Sequence, residues 1–146
     1  IPPSQFAYHI RKLSVHPEKT LGCFFLDFFP ANRTLDLIAR WANFRTVYCG
    51  RPYGDQGLFC GAETFHRLGG FRKAFLMEDV DFVGRAKRLG DLLVVREKLL
   101  TSSARYLDRG VLHACLHNHL TMLRHLAGVE DRKLYSLYYG IDKSLL

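Results

Sequence analysis

Apolar residues recur along the chain with two periods. Phe6, Ile10 and Leu13 fall on one helical face, which predicts a helix over residues 4–13 with Ser4 as its N-cap and His16-Pro17 as its end. Residues 21–29 are a Phe-rich run bounded by turn formers and read as a strand, stopped by Pro30. Asn32 then caps a predicted helix over 34–48, whose Leu35, Ile38, Trp41, Ala42 and Phe44 give a wide apolar face. A loop over 50–56 leads to a short strand at 57–60, a short helix at 62–68 closed by Gly69-Gly70, and a loop at 71–77. A helix at 79–89 follows, with Val80, Val83 and Ala86 inward and Arg85, Lys87 and Arg88 near its C-terminus. Short strands at 92–95 and 99–102, a long helix at 107–126 and a last helix at 130–138 complete the pattern. Strands alternating with helices indicate an α/β chain, with no internal repeat and no low-complexity segment.

Composition narrows the picture only slightly. The chain has 146 residues, 48% hydrophobic and 24% charged, which suits one folded domain rather than a disordered segment. The net charge of +7 favours anionic partners, although a solvated basic surface accounts for it equally well. Cys23, Cys49, Cys60 and Cys115 form no CxxC pair, which argues against zinc, and their mostly apolar surroundings suit free thiols in a reducing, cytoplasmic compartment. No signal peptide or membrane-spanning stretch is visible. Ile1-Pro2-Pro3 reads as the interior of a longer chain.

Four groups could carry chemistry. Met77-Glu78-Asp79-Val80-Asp81 places three carboxylates where a loop enters a helix. They either cap that helix or present a general base to a cleft, and the N–H groups of a helix start suit both roles. Tyr53-Gly54-Asp55-Gln56-Gly57 is an ordinary polar turn, or a loop whose Asp55 and Gln56 meet sugar hydroxyls. The segment 101–110 sets Arg105 and Arg109 among hydroxyl residues, as a surface loop or as a phosphate contact. His113 and His117, at i and i+4, could share a metal, but a solvated helix side explains them better, and Trp41 reads as core. The helix from Leu107 is amphipathic, which fits peripheral membrane contact but fits core packing better.

In sequence order, Arg40-Trp41-Ala42-Asn43-Phe44-Arg45, Pro52-Tyr53-Gly54-Asp55-Gln56-Gly57-Leu58-Phe59, Gly69-Gly70-Phe71, Leu76-Met77-Glu78-Asp79-Val80-Asp81-Phe82, Thr101-Ser102-Ser103-Ala104-Arg105 and Leu137-Tyr138-Tyr139-Gly140 resemble family 2 glycosyltransferases of the GT-A fold. The likeness is greatest to the group called radical-SAM/selenodomain-associated transferase 2, and it covers nearly the whole chain. It implies that residues 1–146 form one partial domain, the acceptor-side C-terminal portion of a GT-A fold, with C-terminal helices from about residue 107. The nucleotide-binding N-terminal half, with its DxD-type motif, would precede Ile1. It implies an inverting transfer from a nucleotide-diphosphate sugar to an acceptor hydroxyl, with Asp79 as general base and Glu78 positioning the acceptor or the base. Gly54, Asp55 and Gln56 would line the acceptor side, and Arg105 and Arg109 would approach the leaving diphosphate. Mg²⁺ or Mn²⁺ would be the cofactor, held mostly by the preceding half, so these residues alone are expected to be inactive. A homo-oligomer is compatible with this picture. Nucleic acid is not expected, because the basic residues are dispersed rather than striped. The competing expectations are a basic α/β module for anionic partners and a non-catalytic half of a split enzyme.

Overall fold

A computed structural model describes residues 2–16 and 18–140, with the backbone alone at Arg109. Pro17, half of the predicted stop of the first helix, lies outside the described residues. The chain is a mixed α/β structure in the order α1 (Pro3–Ser14), β1 (Lys19–Phe29), α2 (Arg33–Cys49), a 3-10 turn (Gly54–Gln56), α3 (Ala62–Arg67), α4 (Glu78–Ala86), β2 (Asp91–Ser102), α5 (Ala104–Arg109), α6 (Val111–Leu126) and α7 (Asp131–Tyr139). It divides into two compact units. One holds Ile1–Arg72 and Asp79–Ser103, the other Lys73–Glu78 and Ala104–Leu146.

The first unit is built on β1 and β2, which pair in parallel. Residues 92–102 form one strand, not the two expected. The register jumps from Phe24↔Val95 to Phe25↔Lys98, so Arg96 and Glu97 bulge out and break the apolar run without ending the pairing. The expected strand at 57–60 shrinks to one antiparallel bridge, Gly22↔Phe59, on the other side of β1. Further along that side, Asn43 of α2 acts as a substitute strand. Its Oδ1 accepts from the Leu26 amide at 2.7 Å and its Nδ2 donates to the Leu26 carbonyl at 3.0 Å.

Two apolar clusters flank this sheet. Leu13, Phe24, Phe59 and Val95 form one, with Phe6 of α1 stacked on Phe24 at 5.9 Å between centroids. Leu21, Phe82, Val83 and Ala86 form the other, extended by Phe65, whose ring lies 5.6 Å from that of Phe82. Gly22 joins the two elements that meet at the bridge, because any Cβ there would overlap the Phe59 ring. Gly22→Val is therefore expected to cost at least about 2 kcal/mol in urea denaturation through overpacking. An unchanged midpoint would show that the ring can move aside.

Several local expectations need correction. α1 starts at Pro3, and Ser4 is not its cap; a proline in the first turn needs no N–H partner. Asn32 does cap α2, accepting from the Leu35 amide at 2.9 Å. The long helix expected from 107 is broken into α5 and α6 at Gly110, whose φ of 81° leaves the helical region. Only Ala114 and Thr121 of α6 are buried, while Leu112, Leu116, Leu120, Leu123 and Leu126 face outward, so α6 is not the core-packed helix its leucines suggested. Trp41 is likewise exposed rather than core. Of the four cysteines only Cys23 is buried, and burial pushes its thiol up to about 12; Cys49 is exposed. Among the described residues, no helix is long and apolar enough to cross a membrane.

In the second unit, Asp131 of α7 accepts from the Phe75 amide at 3.0 Å, and Phe75 also packs against Tyr135. α5 and α6 contribute to a polar cluster around Tyr138, described below.

Candidate functional site

The loop between α2 and α3 is short, glycine-containing and polar, and on composition alone it could be mobile. Instead it is pinned along its length. Arg45, in the last turns of α2, donates from Nε to the Arg51 carbonyl at 2.9 Å and lays its guanidinium over the Tyr53 ring, 3.5 Å from the centroid. Gly54 donates its amide to Asp79 Oδ2 at 2.6 Å. The Asp55 carbonyl accepts from the Thr101 hydroxyl at 3.0 Å. Gln56 turns inward and is fully buried. Its Oε1 accepts from the Thr46 hydroxyl at 2.9 Å and the Tyr53 amide at 3.3 Å, and its Nε2 donates to the Phe24 carbonyl at 3.2 Å. Gln56 thus anchors the loop to the sheet from within, while its neighbours Gly54 and Asp55 are exposed.

The acidic segment is arranged to relieve its own repulsion. Asp81 pairs with Arg85 one turn on at 2.9 Å, and Arg72 reaches its other oxygen at 3.4 Å. Arg85 in turn donates to the Leu68 and Gly70 carbonyls, tying α4 to the end of α3. Asp79 is held by two backbone amides, Gly54 at Oδ2 and Val80 at Oδ1, the latter at 2.9 Å. Each carboxylate oxygen can accept twice, so Asp79 keeps acceptor capacity beyond these bonds. Glu78 is exposed and forms no ion pair among the described residues. Met77, immediately before the pair, has φ 66°, a left-handed conformation that is uncommon for a side chain of this size.

Asp79, Asp55, Tyr53 and Arg45 share one electrostatic neighbourhood. Burial raises the Tyr53 pKa; Arg45 opposes that shift, and Asp79 and Asp55 add to it. The Asp55 pKa also lies above the usual carboxylate value, chiefly because protein crowds it, with Arg45 opposing and Asp79 reinforcing. The folded chain therefore holds the Asp55 proton more tightly than the unfolded chain. The resulting stabilisation is complete below the unfolded value of 3.8 and is lost as pH rises through the folded pKa. Asp55→Asn should accordingly melt at a higher temperature than the parent near neutral pH, with the difference vanishing below 3.8. Asp55 reaches solvent, so screening keeps the gain small. A lower melting temperature for the variant at neutral pH would show that the carboxylate is stabilised there.

The other expected contacts lie in the second unit. Arg105 is exposed and donates to the Tyr138 hydroxyl at 3.2 Å. Tyr138 donates to Asn118 at 3.1 Å, and its carbonyl lies 3.1 Å from His117 Nε2. An open cavity of about 470 Å³ is lined by His113, His117 and residues 137–140. The side chain of Arg109, the second expected cation, lies outside the described residues.

Among the described residues, no group of three or more His, Cys, Asp or Glu side chains gathers where an ion could be held. The described residues thus gather no such set, and no chemical step is routed through a metal. The parts played by Arg45, Thr46 and Thr101 carry no local sequence signal. Their partners lie six or more residues away, in other elements, and no spacing rule marks them. Comparison with protein-family models, with curated proteins and with solved structures finds no match in any of the three.

Proposed function

We propose that the chain is the acceptor-side portion of a glycosyltransferase of the GT-A type, taking a sugar from a nucleotide-diphosphate donor to an acceptor hydroxyl. The observation that carries this reading is the 2.6 Å hydrogen bond from the Gly54 amide to Asp79 Oδ2, across 25 residues of sequence. It joins the two segments that the family resemblance assigns to a single site. The resemblance also places Glu78, at the same helix start, next to the base.

In the proposed step, a remaining lone pair of Asp79 takes the proton of the acceptor hydroxyl. The hydroxyl oxygen forms its bond to the anomeric carbon as the bond from that carbon to the diphosphate oxygen breaks, and the electron pair leaves on the diphosphate. Asp55 offers the acceptor a hydrogen-bonding group beside the base. Gln56 acts indirectly, by fixing the loop that presents Gly54 and Asp55. The resemblance alone assigns Arg105 and Arg109 to the charge that develops on the leaving group. Glu78 would orient the acceptor.

The test is release of nucleoside diphosphate from a panel of nucleotide sugars, using the longest natural reading frame that contains this chain and a mixture of polyol acceptors. Acceptor-dependent release from one donor class is expected. Absence of release from every donor would remove the reading.

A further inference from the structure

A helix lying on a sheet needs one apolar face, and α2 has two. Its inner face, Leu35, Ala39, Ala42 and Thr46, is buried and made mostly of small residues, which let the helix lie close to β1. On the opposite side Leu37, Trp41, Phe44 and Tyr48 follow one another at i, i+4, i+7 and i+11, a single stripe along the axis. Their relative exposures are 65%, 53%, 50% and 73%. The rings form a ladder, Trp41 stacked on Phe44 at 5.8 Å and Phe44 against Tyr48 at 4.5 Å. An aromatic ladder of this kind, left in water, asks for a cover.

The charges beside it indicate what that cover is. Residues 33–51 contain Arg33, Arg40, Arg45 and Arg51 against a single carboxylate, Asp36. Arg45 is committed to Tyr53 and the Arg51 carbonyl, but neither Arg33 nor Arg40 is paired with a carboxylate among the described residues. By helical spacing both flank the stripe on one side. Trp and Tyr beside arginines suit the water–headgroup boundary of a bilayer, where rings enter the acyl edge and guanidinium groups meet phosphate.

A second copy of the chain fits less well. A two-fold contact centred on Trp41 would set Arg40 against its own counterpart. At 150–250 Å² per aromatic side chain, the exposed stripe amounts to roughly 500 Å², below the roughly 800 Å² per partner of a stable protein interface. Membrane binding has no such threshold, because electrostatic attraction adds to the buried area. We infer that α2 docks the protein on an anionic lipid surface through Leu37, Trp41, Phe44 and Tyr48, with Arg33 and Arg40 on the headgroups. This inference stands independently of the transfer reaction.

Trp41 is the only tryptophan in the chain, so its fluorescence reports on this face alone. With phosphatidylcholine vesicles containing about a third phosphatidylglycerol, the chain should co-sediment, its emission should shift to the blue, and dibrominated lipid should quench it. Pure phosphatidylcholine should do much less, and added salt should release the protein. Arg33→Gln/Arg40→Gln should weaken partition about thirtyfold, each arginine being worth a factor of about five near such a surface. Phe44→Ser/Tyr48→Ser should abolish co-sedimentation with an unchanged melting temperature. No co-sedimentation with the anionic vesicles, or equal binding to neutral ones, would overturn the inference. So would a lipid-free blue shift that rises with protein concentration alongside dimerisation. Quenching by brominated lipid uses the unmodified chain, so the test survives a variant that fails to fold.

Discussion

Gln56→Leu is expected to destabilise the chain by about 4 kcal/mol, measured by urea denaturation. Leucine nearly matches the volume of glutamine, so packing is not the cause. The loss is in hydrogen bonding. The buried amide serves the Thr46 hydroxyl, the Tyr53 amide and the Phe24 carbonyl. Thr46 has a second acceptor in the Ala42 carbonyl and can fall back on it. The Tyr53 amide and the Phe24 carbonyl would be stranded away from water, at about 1–3 kcal/mol each. The loop would also lose the side-chain hydrogen bonds that tie it to α2 and the sheet, so Gly54 would be held less firmly against Asp79. A cost below about 1 kcal/mol would instead mean that Gln56 can turn outward and belongs to the surface of the loop.

Asp79→Asn is expected to lower kcat of the proposed transfer on the order of a thousandfold, the usual scale for removing a general base, with little change in KM for the donor. The substitution is close to isosteric. Its remaining oxygen can still accept from Gly54, so the fold should lose little beyond the bond to Val80. That separates chemistry from scaffolding. If Asp79 serves only to tie the loop to α4, the asparagine variant should keep most of the activity. Gly54→Ala offers an independent check, because an added Cβ would sit 3.1 Å from Asp79 Oδ2 and crowd that oxygen alone.

Much of this arrangement was legible in the sequence where the signal is local. Asn32 announced the start of α2, and Gly69-Gly70, both at positive φ, announced the end of α3. The acidic segment was recognisable as a helix entrance because carboxylates favour free N–H groups. What stayed hidden depends on distant partners. A buried glutamine looks like any loop glutamine until Thr46 and Phe24 are brought beside it. The bulge at Arg96 and Glu97 reads as a gap between two strands, since two charged residues interrupt the alternation while the pairing resumes beyond them. The wide apolar face read on α2 is two faces. Leu35 and Ala42 turn inward while Trp41 and Phe44 turn out, and hydrophobicity alone cannot tell a core stripe from one awaiting a partner. The leucines of α6 misled for the same reason.

Direct deprotonation of the acceptor by Asp79 allows one displacement, and one displacement inverts the anomeric carbon. The decisive measurement is the proton NMR spectrum of the freshly formed product, from the longest natural reading frame containing this chain. The anomeric coupling of the new glycoside should report the configuration opposite to that of the donor. Retention of configuration, or a product formed equally well by the Asp79→Asn variant, would contradict the account.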